Sequence, residues 1–398
     1  MSKTIVIVST SQPSSNPRMR KEADALASNG HSVHVLYAFT TNWAEKEDAA
    51  ILRRSDWTYE RIGGSPNSEK TTYFLSRLLR KINALLGRQD QSFCPSLYRY
   101  IGIIKNRRPD LVIGHNPGTL PILSRIRREL SIPVLFDAED LHRGEFTEGD
   151  PNQQKVIRLE DTHFPELQII TAASPLIGAT YKELYPHLKV TIVNNAFDLA
   201  LQPLLHTPDR EKFKFVWFSQ VIGLDRGIQS FMGILGRFKD CPIELTLIGQ
   251  VSDPVRKVLS EKAKDANCPI QFHEPMQEAE LIQFVSHHHF GLALEETTTI
   301  NRQICRVNKL FVYPLAGITT LATCTLAQIQ FFEEYPEAGI SYTDENALLR
   351  QLTHWAKHPE ELEEKRKNAW ELARDFLNWE HESKALLQTV NALLAKTP

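Results

Sequence analysis

The first forty residues already restrict the fold. Thr4–Ser9 is an apolar run of strand length, Ser11 to Asn16 is a polar loop, and a helical stretch through Arg20, Ala23, Leu26 and Ala27 ends at Gly30. His31–Tyr37 then reads as a second strand. Asn16 is a candidate N-cap, and Pro17 suits the first helical position, where a missing N–H costs nothing. Strand, loop, helix, strand in this order calls for a parallel sheet, and a parallel sheet needs helices on both faces. The opening therefore predicts an α/β domain.

Further strands are expected at Asp110–Gly114, Val134–Asp137, Ile169–Ala172 and Val190–Val193, with helical stretches between most of them. After Asn195–Pro203 the pattern restarts. Phe213–Phe218 is a strand, followed by a Gly-containing loop and a helix from about Gly227 to Phe238. Glu244–Gly249, Pro269–His273, Phe290–Leu294 and Gly317–Ala322 continue the second sheet. A chain of 398 residues is too long for one ordinary core, so two domains are expected. The boundaries read as 1–204, 205–375 and a C-terminal helix, 376–398, packing back toward the first domain. Two doubly wound sheets facing each other leave a cleft at the carboxyl ends of their strands, where ligands bind in this sheet type.

Composition narrows the function. A formal net charge of −2 gives no basis for non-specific nucleic-acid binding. Five scattered cysteines, Cys94, Cys241, Cys268, Cys305 and Cys324, form no CxxC and argue against zinc or a disulfide framework. They fit a reducing compartment, and a cytoplasmic protein is expected. The N-terminus enters a strand directly, without the apolar core of a signal peptide, and no apolar run is long enough to span a membrane.

Several residue groups carry possible chemistry. Glu295 and Glu296 end a buried strand, and a polar loop leads to a helix that starts near Asn308 and closes at Gly317. A helix start offers free N–H groups to an anion, and Lys309 adds a full charge. An ordinary βα unit with Asn308 as N-cap is the rival. Arg18, Arg20 and Lys21 oppose the dipole of the first helix unless something negative lies near, so Arg18 is a candidate anion ligand with Asn16 beside it; exposed charge offset by Glu22 and Asp24 is the alternative. Glu139, Asp140 and Glu145 follow a strand and form an acidic group that could meet ligand hydroxyls, and on composition a metal is possible there. His287, His288 and His289 are adjacent, so they point different ways and read as structural. Residues 73–86 form a basic amphipathic helix that either packs on the first sheet or meets an anionic membrane.

The order of motifs resembles the GT-B-fold retaining glycosyltransferases of family 4, the glycosyl transferases group 1. Asn16-Pro17-Arg18, Gly114-His115-Asn116, Phe136-Asp137-Ala138-Glu139-Asp140, Ala173-Ser174-Pro175, Val193-Asn194-Asn195, the loop Gly223 to Gly227 and Asn308-Lys309-Leu310-Phe311 carry the likeness, which runs over nearly the whole chain. The resemblance implies two Rossmann-like domains facing a cleft. It implies hexosyl transfer from a nucleotide-diphosphate sugar to a surface-glycan or lipid-linked acceptor, with retention, no bound cofactor and no metal, and with Glu139, Asp140 and Glu145 near acceptor hydroxyls. In that reading Arg226 pairs the donor diphosphate and His115 steadies charge developing on the sugar. Gln220, Glu295, Glu296, Asn308, Lys309 and Leu310 belong to the donor side; Asn16, Arg18 and Glu139 belong to the acceptor or anion side. Two positions depart from the family. Gln220 stands where an Arg is usual, and Val312 where a Glu usually holds the ribose hydroxyls. These departures keep a catalytically lost sugar-nucleotide-binding or scaffold protein open as an alternative. A nucleotide-sugar epimerase on the same architecture is another.

Overall fold

The structure, a computed structural model, describes residues 2–42, 44–207 and 210–395. It contains two compact units. The first comprises Met1–Asn194, Thr299–Asn301 and Ser383–Pro398, and the second Asn195–Thr298 and Arg302–Glu382. The junction expected near residue 205 lies within the second unit. Of the expected C-terminal segment, 376–382 belongs to the second unit and Ser383 onward to the first, while 396–398 lies outside the described residues.

Unit 1 is built on seven strands: β1 (Thr4–Ser9), β2 (Ser32–Ala38), β3 (Thr58–Ile62), β4 (Leu111–His115), β5 (Val134–Ala138), β6 (Ile169–Ala172) and β7 (Lys189–Ile192). They lie in the order β3-β2-β1-β4-β5-β6-β7 and every pairing is parallel. Ile5 to Val8 of central β1 are fully buried, as a strand covered on both faces requires. The helix Pro17–Ser28 begins as its sequence predicts, with Asn16 accepting a bond from the Met19 amide and Pro17 in the first turn.

Unit 2 has six strands: β8 (Phe213–Val221), β9 (Ile243–Gln250), β10 (Ile270–His273), β11 (Phe290–Ala293), β12 (Thr319–Ala322) and β13 (Gly339–Ser341). Their order is β10-β9-β8-β11-β12-β13, again all parallel. Neighbours in sequence feed opposite cores. Phe215, Trp217, Leu292 and Leu321 enter one apolar cluster, while Val216, Ala293 and Ala322 enter the other. Side chains alternate along a strand, so helices on both faces give this sheet two cores.

Two strands escape the sequence reading, β3 and β13. Both are edge strands. β3, Thr-Tyr-Glu-Arg-Ile, fully buries only Ile62 and so carries no apolar run, and β13 is three residues long. The loop between Glu296 and Asn308 also contains a short helix, Ile300–Ile304. Among the described residues, no helix is long and apolar enough to cross a membrane.

Candidate active site

In unit 2 the candidate site forms around one carboxylate. Glu295 follows β11, and its backbone is fixed by Thr323, whose hydroxyl accepts from the Glu295 amide at 3.0 Å and donates to its carbonyl at 3.0 Å. The Glu295 carboxylate lies 3.3 Å from Arg226 Nη1 and 3.4 Å from Lys309 Nζ. Arg226 comes from the loop after β8, and Lys309 opens the helix Lys309–Leu315. Glu296 accepts from the amide of Gly227 at 3.1 Å, holding the loop beside the strand end. Gly227 adopts φ +70°, a left-handed conformation glycine enters without strain.

Lys309 is almost fully buried, 5.2 Å from the Trp217 ring centroid and 5.7 Å from that of Phe218. Burial lowers its pKa, opposed by Glu295 and assisted by Arg226. A second anion here would raise it again. The two cations thus converge from separate elements on one carboxylate they share at long range.

The rest of the expected donor group is differently placed. The amides of Leu310 and Phe311 already donate to the carbonyls of Val307 and Asn308, so the helix start is closed by its own turn. Those two amides are therefore not free for an anion, against the expectation for this helix start. Leu310 is fully buried in the apolar core. Asn308 makes no side-chain cap, and its Oδ1 accepts from Asn195 at 3.2 Å. Gln220 is exposed near the end of β8. Val312 is fully buried among apolar residues, so a carboxylate at that position would meet hydrocarbon. His288 bonds to Thr246 and His289 accepts from the Lys214 amide, in keeping with structural roles.

Unit 1 carries a second charged group, entirely inside the protein. Sheet register sets Ser9 beside His115, His115 beside Asp137 and Asp137 beside Thr171. The helix Pro17–Ser28 lays Arg18 and Glu22 onto this row. Arg18 grips Asp137 with Nε at 2.6 Å and Nη2 at 2.7 Å, and gives Nη1 to the Val193 carbonyl at 2.7 Å. Thr171 donates to the same carboxylate at 2.6 Å. His115 lies 3.2 Å from Glu22 and 3.4 Å from Asp137. Arg18, Glu22, His115 and Asp137 are all essentially without solvent contact.

The negative partner expected beside Arg18 is therefore the protein's own Asp137. His115 likewise faces two carboxylates rather than solvent. Burial disfavours its charge, but Glu22 and Asp137 outweigh that and raise it to about 10. Burial disfavours the Asp137 carboxylate too, yet Arg18 and His115 hold it well below the usual range. Burial and then Asp137 push Glu22 up. Arg18 and His115 thus have Glu22 and Asp137 as their close charged partners. Glu22, His115 and Asp137 also bring ligand atoms within 4.8 Å of one another, a spacing open to a metal ion. The Arg18 guanidinium already occupies both Asp137 oxygens, so a dication would be placed against a fixed positive charge.

The acidic residues after β5 have separate engagements. Asp140 accepts from Asn301 Nδ2 at 2.8 Å, and Asn301 Oδ1 accepts from the Leu141 amide at 2.8 Å. Glu145 pairs with His142 at 2.6 Å. Glu139 keeps a partly exposed edge; crowding by protein and then the charge of Asp140 raise it to about 7. Sequence reasoning missed Asn301, Thr323 and Trp217. Each matters through a partner distant in the chain, and nothing local marks it. Glu22 was visible only as one of two acidic residues that could offset the cations of its helix.

Residues 239–388 match a protein-family model described as glycosyl transferase-like. No curated protein matches the chain in sequence. Solved structures share its fold at low identity. HepE of Anabaena, solved with UDP and glucose, is 11% identical with a TM-score of 0.68, covering 98% of this chain and 100% of that one. WaaG, a glycosyltransferase involved in lipopolysaccharide biosynthesis, is 11% identical with a TM-score of 0.60, covering 96% and 98%. A Listeria monocytogenes protein provisionally assigned as a UDP-N-acetylglucosamine 2-epimerase is 12% identical with a TM-score of 0.56, covering 100% and 98%. At these identities the likeness is one of fold. The two parallel-sheet units have the GT-B architecture, and the family match with that fold supports a transferase.

Proposed function

We propose that this chain moves a hexosyl group from a nucleotide-diphosphate sugar to a surface-glycan or lipid-linked acceptor, on the cytoplasmic side, with retention of configuration. One observation carries the reading: Arg226 and Lys309 reach the same point past β11 from two separate elements, each within 3.4 Å of Glu295. A diphosphate would take over the cations that Glu295 now shares. Guanidinium–phosphate bonds are charge-assisted like the pair they replace, and a diphosphate brings more charge and more acceptor oxygens than one carboxylate. As the sugar–phosphate bond breaks, negative charge grows on the leaving diphosphate, and both cations stabilise it where it forms. The acceptor oxygen bonds to the sugar on the face the phosphate leaves, and its proton passes to the departing phosphate oxygen. No protein nucleophile is needed. Asn308, Glu296 and Gln220 border the donor in this reading, and Glu139 faces acceptor hydroxyls. Arg18 and His115 act from inside unit 1 by fixing the ends of β4 and β5.

The test is a donor panel followed by a single substitution. A nucleotide sugar that raises the melting temperature identifies the donor, since a ligand of the folded form stabilises it. With that donor, Arg226→Ala should lower turnover on the order of 10²–10³-fold, the scale of losing one electrostatic donor. Unchanged turnover would remove Arg226 from the site.

The buried Val312 and exposed Gln220 favour a second reading, donor binding without transfer. Tight donor binding with neither transfer nor hydrolysis would establish it. Conversion of the donor alone, without acceptor, would point to an epimerase.

A further inference from the structure

The helix Lys70–Leu85 of unit 1 is built inside out. Its large apolar side chains, Phe74, Leu75, Leu78, Leu79, Ile82 and Leu85, are exposed, Phe74 by 64% and Leu85 by 88%, and Leu86 extends the stripe. The residue it buries is Asn83, with Tyr73, Ser76 and Arg77 half-buried beside it. At about 100° per residue the exposed stripe covers roughly 140° of the helix, far more than scattered surface leucines would.

The orientation is fixed from below. Tyr73 meets Phe39 edge-on at 5.6 Å, and Ser76 donates to the Gly63 carbonyl at 3.3 Å. Gly63 and Gly64 take positive φ, and a Cβ on Gly64 would come within 2.7 Å of the Glu69 carbonyl, so the helix start sits directly on this turn. The helix cannot roll its leucines inward without giving up these contacts.

Charge identifies what covers the stripe. Residues 70–88 contain Lys70, Arg77, Arg80, Lys81 and Arg88 and no Asp or Glu. The flanking carboxylates are committed elsewhere: Glu69 to Arg61, and Asp90 to His163 at 2.9 Å. Pairing this face with a second copy would set five cations against five. An anionic surface meets no such repulsion. On its inner flank the helix also borders a cavity of about 320 Å³, where Arg77 and Arg80 face Thr10 and Thr40 just past the ends of β1 and β2. That recess offers a headgroup phosphate two guanidinium groups beside the apolar stripe.

We propose that Lys70–Leu86 docks unit 1 onto an anionic bilayer, with the leucines in the acyl boundary and the cations at the headgroups. The inference goes beyond sugar transfer and stands whichever donor is used. The experiment is flotation of the full chain with phosphatidylcholine vesicles and with vesicles in which a third of the lipid is phosphatidylglycerol. The wild type should float with the anionic vesicles only, less at high salt. Leu78→Ser/Leu85→Ser and Arg80→Glu/Lys81→Glu should each reduce flotation at least tenfold with unchanged melting temperature, because the altered side chains are exposed. The proposal is overturned if the wild type floats with neither vesicle, or if the serine variant floats as well as the wild type. A dimer seen by light scattering that Leu78→Ser/Leu85→Ser splits, without vesicle binding, would assign the face to self-association instead. Vesicle binding and donor binding are separate readouts, so either reading can fail alone.

Discussion

Asp137 organises the polar interior of unit 1. It receives bonds from Arg18 and Thr171 and lies beside His115, all away from solvent. Removing its charge would leave Arg18 buried with too few anions. Asp137→Asn should therefore cost about 3–5 kcal/mol in urea unfolding, while the double change Arg18→Met/Asp137→Leu should cost less than the sum of the single ones. His115 gives the cluster a pH signature. Its pKa rises from 6.5 to about 10 on folding, so its contribution is complete below about pH 6.5 and is lost as pH rises through about 10. The melting-temperature advantage of wild type over His115→Gln should shrink between pH 7 and pH 10, and a constant gap would contradict the assigned charge. Sequence exposed Arg18 as a cation needing a partner. It did not show which carboxylate answers, because Asp137 is 119 residues away.

At the scale of elements, β11 and the helix Lys309–Leu315 together set the geometry of the proposed donor side. Tyr313 lies over Gly291, and its hydroxyl donates to the carbonyls of Leu292 at 3.0 Å and Val216 at 3.3 Å. A Cβ on Gly291 would fall 2.2–2.4 Å from three ring atoms. Gly291→Ala should destabilise by about 3 kcal/mol, at the upper end of ordinary overpacking, and calorimetry would measure it. It should also disturb Lys309 and weaken donor binding, since the helix must shift to clear the methyl. The periodicity of this segment was legible as strand, loop and helix. The closed helix start was not, because it depends on which carbonyls the turn after Cys305 brings near the Leu310 and Phe311 amides.

At the scale of the molecule, the chain closes on its first unit. Ser383–Pro398 belongs to that unit, Leu386 and Val390 are fully buried, and Thr389 meets Thr191 at 2.9 Å. Deleting 383–398 should lower the melting temperature of unit 1 by several degrees, on the order of 2–4 °C per kcal/mol lost, and leave the donor-induced shift of unit 2 in place. Loss of both would show that the units do not unfold separately. The sequence alone determined the two parallel sheets and the approximate place of most strands, because hydrophobic period and crossover order are local properties of a chain. It also picked out Arg226, Lys309 and Glu295 as chemically suggestive residues. Tertiary structure decided that these three meet, that Arg18 and His115 spend their charges on buried carboxylates, and that the leucines of residues 70–86 face outward. Each of those outcomes depends on partners far along the chain or on which face a neighbour covers, and neither is encoded in the spacing of residues.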